Sequence, residues 1–84
     1  MIKKTKIEAI DLFCGIGGLS YGLLNAGIVV KAGIDIDKSC KYPFETNCKA
    51  PFIAEDIKEI TGSNLDEFFN KDSVKVLVGC APCQ

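Results

Sequence analysis

The hydrophobic residues of the chain form short apolar runs, separated by turn-forming residues and by segments with helical spacing. Four runs have the character of buried strands, and they cover residues 7–13, 28–34, 51–54 and 74–79. Segments that predict helices lie between them. This alternation favours an α/β fold in which a parallel sheet is covered by helices.

Three segments predict helices. Residues 19–26 have helical spacing and follow a glycine-rich turn. Residues 38–48 occupy the position of a second helix, but an interior proline removes a hydrogen bond, so the regular helix is expected to start near Pro43. The spacing Asn64-x-x-Glu67 resembles a capping box, which predicts a third, short helix over residues 64–69.

Length and charge narrow the classes of protein that fit. At 84 residues the chain is at most one small domain. Ten basic and eleven acidic side chains leave a net charge of -1, so the basic excess typical of a stand-alone nucleic-acid binder is missing. No apolar run reaches the length of about 20 residues that a membrane span needs, so we expect no membrane association.

Cysteine and histidine content bound the chemistry. The N-terminal stretch is interrupted by Glu8 and Asp11 and does not resemble a signal peptide. The five cysteines are therefore expected to be reduced thiols of a cytosolic chain. The sequence has no histidine, which excludes Cys-His and Ser-His-Asp catalysis and histidine metal ligands within it.

The stretch DLFCGIGGLS, residues 11–20, joins the first strand to the first helix. Glycine has no Cβ and tolerates positive φ, so a ligand can approach the backbone at such a turn. The dinucleotide-binding fingerprint is incomplete, because Ser20 stands where its last glycine would be. A tight turn without any ligand is the alternative.

Carboxylates follow the second and third strands. Asp35 lies about 20 residues beyond the glycines, where nucleotide-binding folds place an acid for the ribose hydroxyls. Asp37 is better explained as the N-cap of the next segment. Asp56 can accept from the exocyclic amine of an adenine while Phe13 packs on its ring. Taken alone, either acid is more often a capping or solvated group, and Phe13 is more often an ordinary core aromatic. The combination of these residues is a more specific sign of a nucleotide site than any one of them.

The motif Cys80-x-x-Cys83 at the end of the chain has three interpretations. A thioredoxin-like dithiol would follow a strand, as this pair does, but that interpretation leaves the three upstream strands unexplained. A zinc site needs four ligands, and no second closely spaced pair exists, so we expect no metal. The third interpretation is a single nucleophile, Cys83, beside a cofactor pocket.

Taken together, these residues resemble the first four motifs of the DNA (cytosine-5) methyltransferases, in the same order and spacing. The resemblance covers residues 7–84 and is carried by DLFCGIGG at 11–18, Asp35, Asp56-Ile57 and Pro82-Cys83-Gln84. It implies the S-adenosylmethionine-dependent methyltransferase fold, a Rossmann-like parallel sheet with helices on both faces and strand order 3-2-1-4, truncated here after the fourth strand.

The resemblance also implies roles for individual residues. Cys83 would be the catalytic thiolate, Asp35 would hold the ribose, and Asp56 and Ile57 would meet the adenine. Cys80 has no role in the family's chemistry and is interpreted as a small residue at a strand end. The cofactor-binding residues implied are Phe13, Cys14, Gly15, Ile16, Gly17, Gly18, Asp35, Ile36, Asp56, Ile57 and Pro82.

The implied reaction transfers a methyl group from S-adenosylmethionine to C5 of cytosine in DNA, through a covalent bond between Cys83 and C6, and leaves S-adenosylhomocysteine. Family members continue past Pro82-Cys83-Gln84 with a glutamate that contacts the cytosine, an arginine-rich motif and a target-recognition domain. Residues 1–84 are thus expected to be the amino-terminal part of a cofactor-binding domain. This part would be inactive alone, and double-stranded DNA would be bound through regions absent from it.

The family's usual setting implies a bacterial, cytoplasmic enzyme of a restriction-modification system. Three alternatives stay open: the related branch that methylates transfer RNA, a small thiol-disulfide oxidoreductase using Cys80 and Cys83, and a catalytically silent nucleotide-binding module. The fourth strand would have lost its outer neighbour, so self-association through that exposed edge is also expected.

Overall fold

A computed structural model describes residues 6–80 of the protein. Its four strands are β1 (Ile7–Asp11), β2 (Val29–Asp35), β3 (Phe52–Ala54) and β4 (Val74–Val78). Its α-helices are α1 (Gly18–Asn25), α2 (Lys41–Cys48) and α3 (Gly62–Asp66), with short 3-10 turns at Lys38–Cys40 and Ile57–Glu59. The strands pair in parallel in the order β3-β2-β1-β4, which confirms the predicted sheet. None of the helices within residues 6–80 has the length and hydropathy that a membrane crossing requires.

One extra residue in β2 decides which side chains face each side of the sheet. Ala9 of β1 pairs with Val30, whereas Ile10 pairs with Ala32, so Lys31 is the additional residue. A bulge of this kind changes the alternation of side chains along the strand. Val30 consequently joins the hydrophobic cluster on one face, and Ala32 joins the cluster on the other.

Hydrophobic clusters cover both faces of the sheet, which confirms the prediction of helices on both sides. The first cluster lies under α1 and α2 and contains the fully buried ring of Phe44. That ring occupies the space above Gly33, where a Cβ would collide with it. The second cluster lies under α3 and includes Ile10, Ile34 and Leu65.

The third helix begins earlier than predicted. Thr61 is its N-cap, because its hydroxyl oxygen accepts the Asn64 N–H at 3.2 Å while the Asn64 side-chain oxygen accepts the Thr61 N–H at 3.2 Å. The prediction that Asn64 opens the capping box and Glu67 closes it was wrong. The physical reason is that the Asn64 side chain bonds backwards to Thr61, so it closes the box, and Glu67 ends the helix.

The second helix accommodates its proline without losing a hydrogen bond. Pro43 is the third residue of α2, and the first four N–H groups of a helix have no partner within it. The regular helix therefore starts near Pro43, as predicted. The 3-10 turn before it is capped by Asp37, whose carboxylate accepts the Ser39 N–H at 3.0 Å, which confirms the predicted capping role.

A buried acid at the start of β1 ties the sheet to the segment between α3 and β4. The Glu8 carboxylate accepts the Asn70 backbone N–H at 2.8 Å and the Asn70 side-chain amide at 2.6 Å, and the Lys31 ammonium lies 3.8 Å away. Burial opposes ionisation, but the Asn70 and Ser73 hydrogen bonds and the Lys31 charge outweigh it and lower the pKa of Glu8. The carboxylate is therefore more easily ionised in the folded protein than in the unfolded chain.

The free energy of unfolding should depend on this carboxylate at acid pH. A group with a lowered folded pKa stabilises the protein above its unfolded pKa, about 4.3 for glutamate, and the stabilisation is lost as pH falls through the folded value. We expect Glu8→Gln to lower stability at pH 7 by about 1–3 kcal/mol and to flatten the acid part of the profile. Urea unfolding across pH 3–7 measures both, with the exposed Glu59→Gln as control. A Glu8→Gln protein as stable as the wild type would contradict this account.

The outer edge of β4 has no strand beside it within the described residues. The Val74 N–H donates to the Lys6 carbonyl, and the Val78 carbonyl accepts from the Leu12 N–H, so these two residues of β4 direct their backbone groups towards β1. Backbone groups point to opposite sides at successive residues of a strand, so those of Leu77 point away from β1. Its side chain is 53% exposed. At the opposite edge, β3 is only three residues long, which limits pairing.

We expect the 84-residue chain to self-associate through the β4 edge. Unpaired backbone groups beside apolar side chains are a template for another strand, and a lysine at the edge opposes such pairing. Sedimentation velocity across a concentration series should show association for the wild type and a shift towards monomer for Leu77→Lys. Tyr42→Lys, which replaces an exposed aromatic residue of α2, is the control. A wild-type chain that stays monomeric at high concentration would contradict this prediction.

Candidate cofactor site

The glycine-rich turn after β1 is anchored by a buried carboxylate. Asp11, the last residue of β1, accepts the Ser20 hydroxyl at 2.8 Å and the Phe13 N–H at 3.2 Å. Because a buried carboxylate is costly unless it is hydrogen-bonded, these contacts hold the turn and the start of α1 in one arrangement. Neither Asp11 nor Ser20 is among the site residues that the sequence predicts. The signal was an acid at the end of a buried strand, followed by a hydroxyl in the first turn of the next helix.

Two glycines of the turn adopt conformations that other residues rarely do. Gly15 has φ of 52° and Gly17 has φ of 98°. A Cβ on Gly17 would also lie 2.6 Å from the Cys48 sulfur and 3.1 Å from the Phe44 ring. The turn therefore needs glycine at position 17 both for its backbone and for its packing.

Asp35 connects the turn to the end of β2. One of its carboxylate oxygens accepts the Gly15 N–H at 2.9 Å, and the other accepts the Asp37 N–H at 2.9 Å. Each carboxylate oxygen can accept more than one hydrogen bond, so the group keeps acceptor capacity for a ligand. The residue predicted to bind a ribose is thus already held in place by the protein backbone.

The end of β3 supplies two further acids. Asp56 caps the 3-10 turn that follows, since one of its oxygens accepts the Lys58 N–H at 3.0 Å. Glu55 precedes it and is exposed. Because carboxyl ends of parallel strands meet at one edge of a sheet, these acids lie on the same side as Asp35 and Phe13.

A cleft of about 140 Å³ opens at this edge. Its walls are mainly apolar, with three carboxylates, and none of the described residues that line it is basic. The Ile36 side chain is 69% exposed, which leaves an apolar surface available to a ligand. The lining residues are Leu12, Phe13, Asp35, Ile36, Glu55, Asp56 and Ile57.

The structure brings together five of the predicted cofactor residues and distributes the others. Phe13, Asp35, Ile36, Asp56 and Ile57 line the cleft, whereas Leu12 and Glu55 line it without having been predicted. Both are direct chain neighbours of predicted residues, which was the only signal for them.

The remaining predicted residues lie around this cleft or beyond the described part of the chain. Gly15 contacts Asp35 through its N–H. Ile16, Gly17 and Gly18 line a neighbouring groove with Tyr21 and Asn47. The Cys14 side chain is buried in the core. Pro82 and Cys83 lie outside the described residues, so their predicted roles stay predictions.

The thiols packed beneath the turn are poor nucleophiles. Burial, with the nearby charges of Asp11, Asp35 and Cys40, raises the pKa of Cys14 to about 12. Burial also raises the pKa values of Cys40 and Cys48, with smaller contributions from nearby acids. Because the thiolate is the reactive form, none of these three side chains suits covalent catalysis.

Fold and turn together define the class of this protein: a Rossmann-like α/β domain with a glycine-rich turn after β1 and acids at the carboxyl ends of β2 and β3. The particular family follows from comparison with known proteins. The chain belongs to the C-5 cytosine-specific DNA methylase family, whose model matches residues 7–84. The resemblance drawn from the sequence motifs is thereby confirmed.

Individual relatives are named as type II methylases or methyltransferases. The type II methylase M.HgiDII of Herpetosiphon aurantiacus is 52% identical over 75 residues, which cover 89% of this chain and 21% of the relative. The type II methyltransferase M.Sau96I of Staphylococcus aureus is 32% identical over 84 residues, which cover 99% of this chain and 19% of the relative. The chain thus spans about a fifth of the length of these two relatives.

A solved structure shows the same fold. It is the crystal structure of a protein described as a DNA modification methyltransferase encoded within a prophage, from E. coli. The TM-score is 0.79 at 32% sequence identity, and the match covers 94% of this chain and 23% of that chain. This likeness confirms the predicted methyltransferase fold over the four strands.

Proposed function

We propose that the chain binds S-adenosylmethionine and carries the nucleophile of an enzyme that methylates C5 of cytosine in DNA. The observation that carries this proposal is the family match, which spans both the glycine-rich turn and the Pro82-Cys83-Gln84 motif. The geometry supports it, since predicted binding residues from three different strand ends line one cleft.

The cleft fits a nucleoside without phosphate groups. The apolar side chains of Phe13, Ile36 and Ile57 offer surfaces against which a purine ring can pack. Asp56 is suited to accept from an exocyclic amine, and Asp35 from ribose hydroxyls. Three carboxylates and no described basic side chain in the lining would repel a phosphorylated nucleotide but tolerate a cationic sulfonium compound.

Cys83 is assigned the covalent step. Cytosine C5 is a weak nucleophile, and addition of the Cys83 thiolate to C6 breaks the C5–C6 double bond and makes C5 electron-rich. Bound in the cleft, S-adenosylmethionine would supply an activated methyl group to C5 and leave as S-adenosylhomocysteine. After methylation, loss of the C5 proton re-forms the double bond and expels Cys83 as a thiolate. Cysteine suits both steps because it is strongly nucleophilic and also leaves readily.

DNA is the substrate that the comparisons favour. The family is named for DNA, and the relatives named as type II enzymes favour a restriction-modification system over transfer RNA methylation. Since the target base must leave the duplex to meet a nucleophile, DNA must be gripped and the base flipped. We assign those contacts to the part of the relatives' length that lies outside this chain. A thiol-disulfide oxidoreductase finds no support in the comparisons, and a bacterial cytoplasmic location stays a prediction.

Cofactor binding should be weak but measurable in the chain itself. We expect calorimetry to detect S-adenosylmethionine or S-adenosylhomocysteine binding, and Asp35→Asn to weaken it by about tenfold or more, because a charged acceptor is lost. The amide oxygen of the new side chain can still accept one backbone N–H. Asp37→Asn, which alters the neighbouring acid outside the cleft, is the matched control. Absence of heat and of a thermal shift at millimolar ligand would count against cofactor binding.

The roles of the two terminal cysteines can be separated in the intact parent enzyme that the proposal implies. Cys83→Ser should keep the fold and cofactor binding but lower methylation by at least about 1000-fold, as loss of a nucleophile does elsewhere. It should form no covalent adduct with DNA that contains 5-fluorocytosine, by mass spectrometry. Cys80→Ser should stay active. Loss of the adduct in a folded Cys80→Ser enzyme would favour a dithiol mechanism instead.

A further inference from the structure

β1 and β4 are neighbouring parallel strands, and the residues that directly follow them lie close together. The N–H of Leu12, one residue beyond β1, donates to the carbonyl of Val78, the last residue of β4, at 2.8 Å. One residue further, a Cβ on Gly79 would lie 3.0 Å from Cδ2 of Phe13 and 3.4 Å from the Leu12 Cβ. Carbon atoms pack best at about 3.5–4.0 Å, so a side chain at position 79 would push against the Phe13 ring.

The backbone around Phe13 has little freedom to relieve such a contact. The Phe13 N–H donates to the buried Asp11 carboxylate at 3.2 Å, and the Cys14 N–H donates to the Ile34 carbonyl at 3.0 Å. Together with the bond from Leu12, these contacts anchor three consecutive N–H groups. Phe13 is 36% exposed and lines the cleft, so its ring is the part that would turn.

Backbone conformation does not explain the glycine at this position. Among the described glycines, those with positive φ are Gly15, Gly17 and Gly27, and Gly79 is not one of them. The contact with Phe13 is therefore the feature that a side chain at position 79 would disturb.

We propose that Gly79 is a positioning residue for the cofactor cleft: its lack of a side chain sets the orientation of the Phe13 ring. Gly79 lies between β4 and Cys83 in the sequence. Its contact with Phe13 therefore also links the segment before the proposed nucleophile to the lining of the cleft. This inference rests on the proposed function, because the ring's role is to pack against the bound nucleoside.

The test is an NMR titration of the labelled 84-residue chain with S-adenosylhomocysteine. Gly79→Ala should bind about threefold to tenfold more weakly than the wild type, as expected for a ring forced off its preferred rotamer. In a Phe13→Ala background, adding Gly79→Ala should change the affinity by less than about twofold, because the ring is gone. Gly22→Ala, at an exposed helical glycine with nothing near its Cβ position, should bind like the wild type.

A readout on the free protein separates this inference from the proposed function. Nuclear Overhauser contacts between the Phe13 ring and residue 79 should be present in the wild type, and the ring signals should shift in Gly79→Ala but not in Gly22→Ala. If the wild type binds no ligand, cofactor binding is refuted, and the ring signals still decide whether Gly79 positions Phe13.

Three results would overturn the inference. The first is Gly79→Ala with unchanged affinity and ring signals. The second is an equal loss of affinity on adding Gly79→Ala to Phe13→Ala, which would show that the residue acts by another route. The third concerns folding: if Gly79→Ala does not fold, the Phe13→Ala/Gly79→Ala double variant should fold again, and its failure to do so would reject the contact as the cause.

Discussion

The geometry of the candidate cofactor site depends on one aromatic ring packed against two glycines. The Phe44 ring is fully buried, and it fills the space that Gly33 of β2 and Gly17 of the turn leave open. Close packing makes such a contact intolerant of added atoms, so the ring fixes how near α2, the turn and β2 approach one another. Asp35 lies two residues beyond Gly33 in β2. The packing of Phe44 on Gly33 and Gly17 therefore also determines the position of the Asp35 carboxylate relative to the glycine-rich turn.

The acids at the strand ends support the fold, and two of them also line the candidate site. Asp11, Asp35 and Asp56 each accept a backbone N–H, and the last two also line the cleft. A carboxylate held in this way is oriented before a ligand arrives, which reduces the entropy lost on binding. The cost is that replacing such a side chain disturbs a turn as well as a contact, which is why isosteric amides are the informative substitutions.

Cysteine has an observed packing role along this chain and a separate, proposed chemical role. Near the turn, Cys14 and Cys48 pack as small apolar groups, and burial raises their pKa values and keeps them protonated. The proposed nucleophile, Cys83, belongs to a different segment, after β4, within the residues that the family model matches. Residue type alone therefore does not distinguish the buried, protonated thiols from the proposed nucleophile.

The sequence by itself determined the alternation of strands and helices, the parallel sheet and the family, because apolar periodicity and motif spacing are local properties of the chain. It also indicated Asp35 and Asp56, since both lie at or close to the end of an apolar run that predicts a strand. It misplaced the start of α3, because the backward bond from Asn64 to Thr61 depends on which turn the chain adopts. Only the tertiary structure decided the bulge at Lys31, the place of Glu55 in the cleft and the contact between Phe13 and Gly79, because each depends on how separate strands meet in space.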